Sequence, residues 1–366
     1  MKRSLLALSA FSVVLLLAVS CKEENPTTVD VVPVYTIPTT YNFTNVDFSE
    51  STTRLGMVTE MSTLMRGALT GTLDGDKLKN MFTNTSSPFS TSLTYNTSGL
   101  QLKDQCFSLM QTDALRFIDS LVAVSKTGNV ASRGVAGVGT SSANAATKYA
   151  LTATGVNYAQ VFNKTMMGGL ICYQIVNNYM TAAANNSLDN TTVTTGKGTA
   201  LEHAWDLAFG YWGVPIDFPT NKTGAKLWGS YTTQVDSGYH ANKIFMDAFL
   251  KGRAAISNKD TKTYQDQATI LMQGFERVVG AAALQEVKEI KESLNDNIAR
   301  NSRLSECYGF VYSLKYNPKR KITDAQIDAI LALFPKNFYD LTLTDVNNIR
   351  DAIAKQYDFD SVKDIL

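Results

Sequence analysis

The sequence has few histidines and no large excess of charge of either sign. Its 34 Lys and Arg residues are balanced by 33 Asp and Glu residues, so the formal net charge is +1. A near-neutral chain offers no electrostatic reason to bind nucleic acid. The only histidines are His203 and His240, and no His-Glu-x-x-His segment occurs. This absence excludes the metalloproteases that depend on that segment.

Cysteines are few and lie far apart. There are four: Cys21, Cys106, Cys172 and Cys307. Such spacing indicates no disulfide framework. The last three lie in apolar helical patterns, which favours buried free thiols, although one pairing among them stays open.

Motifs of nucleophilic catalysis and phosphate binding are also missing. The chain has no Gly-x-Ser-x-Gly segment and no cysteine with a neighbouring His signature. The glycine-bearing stretch 134–139 lacks the Lys-Ser or Lys-Thr pair of a phosphate-binding loop. These absences favour a protein that is not an enzyme.

The N-terminus carries an apolar run that is too short to cross a membrane. Leu5 to Val19 follows Lys2 and Arg3. In a helix these residues rise about 1.5 Å each, which falls short of the roughly 30 Å hydrocarbon core. A basic start, a short apolar run and small residues before a cut are typical of a secretory signal. We predict a signal peptide over residues 1–20 and no later membrane span.

The residues around Cys21 predict a lipid anchor. Ala18-Val19-Ser20-Cys21 resembles a bacterial lipobox, with Ala at the position usually held by Leu. Lys22-Glu23-Glu24 resembles the surface-export signal of Bacteroidetes lipoproteins. The resemblance implies a lipidated Cys21 and an outer-membrane location facing the cell exterior, since two or three acyl chains hold a protein stably at a bilayer. An ordinary signal peptide with an incidental cysteine is the alternative.

The rest of the chain predicts an all-α fold. Pro26, Pro33 and Pro38 indicate that residues 21–45 form an extended tether, or an arm laid along the domain. Apolar residues then recur at three- and four-residue spacing, so residues 46–366 are expected to form one helical domain, or two packed bundles. Helices are predicted from about Ser51 and over 101–125, 156–183, 198–213, 239–257, 262–294, 298–315, 323–333 and 344–355. Thr323 with Gln326 predicts a capping box, and Thr344 followed by Asp345 predicts an N-cap.

Three segments are predicted to be loops. Residues 128–147 are rich in Gly, Ala and Ser, and residues 185–199 are rich in Asn and Thr. Residues 214–238 contain aromatic side chains, among them Trp228, that a ligand can meet.

The helix predicted over 198–213 carries the most suggestive polar residues. Glu202, His203 and Asp206 share one face, because their spacings are three and four residues. Glu276 interrupts an apolar stripe on another helix, so its carboxylate needs a partner inside the protein. Together the four side chains predict a polar centre, either for iron or another divalent metal or as part of the fold.

Two further helices offer polar partners. Gln160 and Lys164 lie on a mixed stripe of one helix, and Lys164 is a candidate ion partner of Glu276 or Asp206. Glu306 lies on a small, polar face of another helix. A buried salt-bridge network between helices explains these residues as well as a ligand site does.

Several segments resemble a family of uncharacterised Bacteroidetes lipoproteins. The most distinctive is Glu202-His203-Ala204-Trp205-Asp206 followed by Ala208-Phe209-Gly210-Tyr211. More remotely, the layout is similar to that of imelysin-type proteins, which are secreted, all-helical and associated with iron uptake. Their Gly-x-His-x-x-Glu motif corresponds here to Leu201 through Asp206, with Leu in place of Gly and Asp in place of Glu. This resemblance implies a two-bundle arrangement and a metal site.

Two functional hypotheses follow. The first is a surface lipoprotein that binds iron, another metal or haem for an outer-membrane uptake receptor. The second is a binding or scaffolding module for a peptide, a glycan or a receptor, in which the polar helices are structural.

Overall fold

The computed structural model describes residues 34–366 and is predominantly helical, which confirms the predicted fold class. The predicted signal peptide, Cys21 and the first part of the predicted tether lie outside the described residues. Residues 37–366 form one compact unit. Its α-helices are α1 (Ser49–Met65), α2 (Gly75–Thr83), α3 (Ser108–Ser125), α4 (Tyr158–Met166), α5 (Thr181–Ala184), α6 (Ala200–Trp212), α7 (Trp228–Gln234), α8 (Asp236–Tyr239), α9 (Ala241–Ser257), α10 (Thr261–Glu292), α11 (Asn297–Ser313), α12 (Asp324–Leu331) and α13 (Leu343–Tyr357).

The predicted helix over 156–183 is continuous but changes its winding. Asn157 caps its start, since its side chain accepts from the backbone N–H groups of Ala159 and Gln160. Between α4 and α5 the segment Met167–Met180 is a π-helix. This long element packs along α6, α10 and α11, and it brings Lys164 into the interior.

The prediction of a loop over 128–147 is wrong in part, because residues 137–140 form one strand of a small antiparallel sheet. Strands β1 (Gly137–Thr140) and β2 (Lys148–Leu151) pair with Gly137 opposite Leu151 and Thr140 opposite Lys148. Such short strands carry too few residues to display an alternating pattern. Buried Ala150 and Leu151 attach the hairpin to the helical core.

Several predicted helix boundaries also need correction. The helix predicted over 101–125 starts at Ser108, after the 3₁₀ turn Lys103–Gln105. The predicted loop over 214–238 contains α7 and α8, and α2 was not predicted. Short elements of this kind are weakly encoded by periodicity and are held by tertiary packing.

Helix starts explain how the polar residues are placed. Capping boxes begin α6 at Thr199 with Glu202, α12 at Thr323 with Gln326, and α13 at Thr342 with Asp345. The box at Thr323 confirms the prediction. At α13 the cap is Thr342 rather than the predicted Thr344, because Asp345 occupies the third helical position and accepts from the Thr342 backbone N–H.

The core lies around α10, which packs against α9, α11 and α13. Cys106, Cys172 and Cys307 are buried free thiols, as predicted. Within residues 34–366, no helix combines the length and the apolar character needed to cross a bilayer.

Candidate functional site

The polar face of α6 is built around an arginine from α9. Arg253 Nε donates to Asp206 Oδ1 at 2.8 Å, and its Nη1 donates to Glu202 Oε1 at 2.7 Å. Ser257 and Tyr41 complete this group, which we call the Arg253 centre: the Ser257 hydroxyl donates to Glu202 at 2.7 Å and the Tyr41 hydroxyl to Asp206 at 2.7 Å. A guanidinium fork suits this role because it presents several donors in fixed directions.

The N-terminal arm, residues 37–45, covers the Arg253 centre. The Tyr41 ring stacks on Phe209 at a centroid distance of 3.7 Å, and its backbone N–H donates to the Ile216 carbonyl. The Thr44 carbonyl accepts from Arg253 Nη2 at 3.3 Å. These contacts lay residues 37–45 along the domain.

Burial governs the electrostatics of the Arg253 centre. It raises the pKa of Asp206 to about 6, and the charge of Arg253 limits this rise. Glu202 lies nearer the surface. Burial acts to raise its pKa, but hydrogen bonds from Thr199 and Ser257 and the charge of Arg253 lower it overall. Burial acts to lower the pKa of Arg253, but Asp206 raises it overall. The arginine is therefore a permanent internal counter-ion.

The structure does not assemble the predicted four-residue metal centre. Glu276 lies elsewhere on α10, where its carboxylate accepts from the backbone N–H groups of Lys321 at 2.7 Å and Ile322 at 3.0 Å. His203 Nδ1 is buried without a hydrogen-bond partner among residues 34–366. No group of three or more His, Cys, Asp or Glu side chains in that range is placed to hold a metal ion. Glu202 and Asp206 instead share the charge of Arg253.

A second buried group, the Lys164 centre, joins α4, α7, α10 and α11. It consists of Lys164, Tyr231, Glu286, Arg303 and Glu306. Lys164 Nζ lies 2.7 Å from Glu306 Oε2 and 2.6 Å from the Tyr231 hydroxyl. The same hydroxyl lies 3.1 Å from Glu286 Oε1. Lys164 thus pairs with Glu306, and not with either predicted partner, Glu276 or Asp206.

Close packing of two helices makes this pairing possible. A Cβ atom at Gly309 on α11 would lie only 2.9 Å from the Lys164 Cβ. Glycine therefore lets α4 approach α11 closely enough for the ammonium to reach Glu306. The small, polar face predicted around Glu306 has this structural role.

With the neighbouring Glu289, three carboxylates lie close to the two cations of the Lys164 centre. Arg303 lies 3.3 Å from Glu306 and 2.8 Å from the partly exposed Glu289. Burial and the nearby Glu306 charge hold the pKa of Glu286 well above its usual value. Burial acts to lower the pKa of Lys164, but the Glu306 charge raises it overall. The protonated form of Glu286 is therefore favoured by its surroundings.

Two other predicted ligand residues lie beside the Lys164 centre. Trp228 is not in a loop open to a ligand; it begins α7, is fully buried, and its indole N–H donates to the Met167 carbonyl at 2.9 Å. Gln160 is half-buried and lines a cavity of about 150 Å³ together with Tyr149 and Asn163. The structure therefore brings Lys164, Glu306 and Trp228 into one neighbourhood, with Gln160 one turn from Lys164.

The structure also contains a pocket that the sequence reasoning missed, which we call the aromatic pocket. It has a volume of about 240 Å³ and lies between α3, α4, α11 and the segment after α12. Its aromatic lining residues are Phe117, Tyr158, Tyr308, Tyr312, Phe334 and Phe338. Two cations, Arg116 and Lys336, also line it. The signal in the sequence was a pair of aromatic residues four apart on α11, Tyr308 and Tyr312, which places both rings on one face.

Arg253, Glu286 and Tyr231 were missed as well. Arg253 sits among Phe249, Ala254 and Ile256, and Glu286 sits among Ala283, Val287 and Ile290. A charged residue flanked by apolar residues at helical spacing is the signal that singled out Glu276, and it applies to both.

A family model described as a domain of unknown function, DUF4856, matches residues 38–360. The chain belongs to this family. No curated protein and no solved structure matches it significantly.

Proposed function

We propose that this chain is a non-enzymatic binding protein anchored through Cys21 at the outer face of the outer membrane. The N-terminal residues support the anchor: a short apolar run, the Ala18-Val19-Ser20-Cys21 site and the acidic residues that follow Lys22. The helical domain supplies the binding surface.

The aromatic pocket is the observation that carries the binding function. Glu202, Asp206 and Glu306 already have cationic partners within the protein, so they act in the fold. The aromatic pocket, by contrast, is open and presents ring surfaces and cations that the fold does not fully use. Concave, mostly apolar pockets with a few polar groups are the usual sites of small-molecule binding.

We place no metal in the proposed function. Arg253 holds the position between Glu202 and Asp206 that a metal cation would need. The alternative, a carrier of iron or haem for an outer-membrane receptor, requires these carboxylates to release the arginine, which leaves a buried guanidinium unpaired.

The anchor is tested by Cys21→Ala in the full-length chain. We expect the variant to leave the membrane fraction or to accumulate unprocessed, whereas Thr27→Ala, a change just beyond the anchor, behaves as wild type. Protease added to intact cells should degrade the wild-type domain. Membrane retention and normal processing of Cys21→Ala would refute the anchor, and complete protection of the wild type would refute surface exposure.

The choice between small-molecule and metal binding is tested by calorimetric titration of the purified full-length protein with ferrous, ferric and zinc ions. We expect no stoichiometric uptake. Uptake of one ion per chain that is lost in His203→Ala would overturn the proposal in favour of a metal carrier.

A further inference from the structure

The aromatic pocket is walled by rings from separate parts of the chain. On α11, Tyr308 and Tyr312 stack with centroids 5.8 Å apart. Phe334 and Phe338, from the segment after α12, lie 5.5 and 6.3 Å from Tyr308. Because these residues belong to packed elements, the walls are set by the fold before any ligand enters.

The opposite wall comes from α3 and α4 and brings a positive charge. Phe117 stacks on Tyr158 at 5.8 Å, and the Arg116 guanidinium lies over the Phe117 ring at 4.5 Å. Arg116 also pairs with the buried Asp113 at 2.7 Å. The Tyr312 hydroxyl stays protonated at neutral pH, since burial and Asp113 raise its pKa to about 12.

Lys336 adds a second cation at the opening. Its side chain is exposed and forms no ion pair with any residue in 34–366. The described residues that line the pocket include no Asp, Glu, Asn or Gln. The Asp113 carboxylate behind the wall is already bound by Arg116, Tyr312 and Tyr316, at 2.7, 3.0 and 2.8 Å. The pocket therefore offers ring faces, donors and positive charge, with no carboxylate to accept from a ligand.

These properties select among small ligands. A polyol needs acceptors as well as donors along its length, and the only side-chain acceptors among the described lining residues are three tyrosine hydroxyls. A cationic ligand suits aromatic walls but meets two like charges here. A planar ring with an acidic group matches both the ring walls and the cations.

The volume limits the ligand to about one ring. A dry cavity of roughly 150 Å³ is sufficient for benzene. At about 240 Å³, the aromatic pocket has room for one ring with one or two substituents.

We propose that the aromatic pocket binds a single-ring aromatic carboxylate, with the ring between the Tyr308 and Phe117 walls and the carboxylate directed to Lys336 and Arg116. This assignment rests on the proposed binding function and names its ligand class. It is independent of the anchor, because binding is measured on purified protein and the anchor on intact cells.

The first test is calorimetric titration of the purified full-length protein with benzoate, 4-hydroxybenzoate and the neutral isostere benzamide. We expect the carboxylates to bind about tenfold more tightly than benzamide, the gain typical of a hydrogen bond to a charged group. Their affinity should fall as salt is raised. Equal affinity for benzoate and benzamide, or no binding by any of them, would overturn the proposal.

The second test uses Lys336→Ala, an exposed change that leaves the fold intact. We expect benzoate affinity to fall about threefold to tenfold while benzamide affinity stays the same. Lys355→Ala, an exposed lysine outside the pocket, is the matched control. Equal losses for benzoate and benzamide, or the same loss in the Lys355 variant, would contradict the assignment of the carboxylate to Lys336.

The third test addresses the ring wall. Tyr308→Phe keeps a ring and should retain benzoate binding within about twofold, whereas Tyr308→Ala should lose at least about tenfold. A thermal melt of each variant separates loss of the wall from loss of the fold. Wild-type affinity in a folded Tyr308→Ala protein would place the ligand elsewhere and overturn the proposal.

Discussion

The Arg253 centre and the Lys164 centre bury similar charges in different ways. In the first, one guanidinium reaches both carboxylates, Glu202 and Asp206, through separate nitrogens. In the second, the Lys164 ammonium pairs with Glu306, and Tyr231 lies between it and Glu286. Arginine's planar fork serves two anions at once, while lysine is a compact point charge.

This difference determines where a proton is held. Burial raises the pKa of Asp206 only to about 6 because Arg253 bonds directly to it. Burial and the Glu306 charge hold the pKa of Glu286 well above its usual value, since Lys164 pairs with Glu306 and Arg303 Nη1 comes no closer than 4.0 Å to Glu286 Oε2. We infer that the Arg253 centre is ionised at neutral pH, whereas the Lys164 centre keeps one carboxyl neutral.

The largest effect is expected at Arg253. Arg253→Ala leaves Glu202 and Asp206 without a cation and releases the Thr44 carbonyl. We expect the free energy of unfolding to fall by about 4 kcal/mol, as for other buried pairs that lose one partner. Urea unfolding followed by circular dichroism measures it.

The matched control is Lys243→Ala on the same helix. Lys243 forms an exposed ion pair with Asp247, so its loss should cost less than about 1 kcal/mol. Similar costs for the two variants would show that the Arg253 centre does not stabilise the fold, and the comparison between the two centres would lose its basis.

An intermediate effect separates the two buried glutamates of the Lys164 centre. Glu306→Gln removes the partner of a buried ammonium, and we expect a loss of about 3 kcal/mol. Glu286→Gln replaces a carboxyl whose protonated form is favoured with a neutral amide of the same shape, so less than about 1 kcal/mol should be lost at pH 7.

The pH dependence gives an independent check on Glu286. Its folded pKa is raised, so the folded protein keeps a proton that the unfolded chain releases above about pH 4.5. The wild type should therefore lose stability relative to Glu286→Gln as pH rises from 5 to 8, by at most about 1.4 kcal/mol per pH unit. A difference that is constant with pH would mean that Glu286 is ionised and that the two centres do not differ in this respect.

The sequence predicted the helices better than the partners of their polar residues. Long elements such as α10 repeat apolar residues over many turns, so periodicity identifies them, and the Thr323 cap is encoded within four residues. Partners depend on which helix faces are adjacent. Arg253 lies about fifty residues from Glu202 along the chain, and no local pattern joins them.

The aromatic pocket shows the same limit. Tyr308 and Tyr312 share a helix and are predictable as one face, but Phe117, Phe334 and Lys336 come from other elements. The short β hairpin and α7 were missed for a related reason: each is held by packing rather than by its own sequence period.

A small effect, and the one that sharpens the comparison most, is expected at Glu202. This carboxylate has two roles: one oxygen accepts from the Thr199 backbone N–H at the start of α6, and the other accepts from Arg253 and Ser257. Glu202→Gln keeps the shape but removes the charge and one acceptor. We expect a loss of about 1 kcal/mol at pH 7, because Asp206 still pairs with Arg253.

The pH dependence of this loss should run opposite to that at Glu286. The folded pKa of Glu202 is lowered, so its contribution is present above about pH 4.5 and is lost as pH falls through the folded value. The difference between wild type and Glu202→Gln should therefore shrink between pH 5 and pH 3.5, measured by urea unfolding at each pH. Glu292→Gln, an exposed change near the end of α10, is the control and should show little difference throughout. A difference that grows on acidification would mean that the fold favours the protonated form of Glu202, as it does for Glu286. The arginine and lysine centres would then not differ in the protonation of their carboxyls.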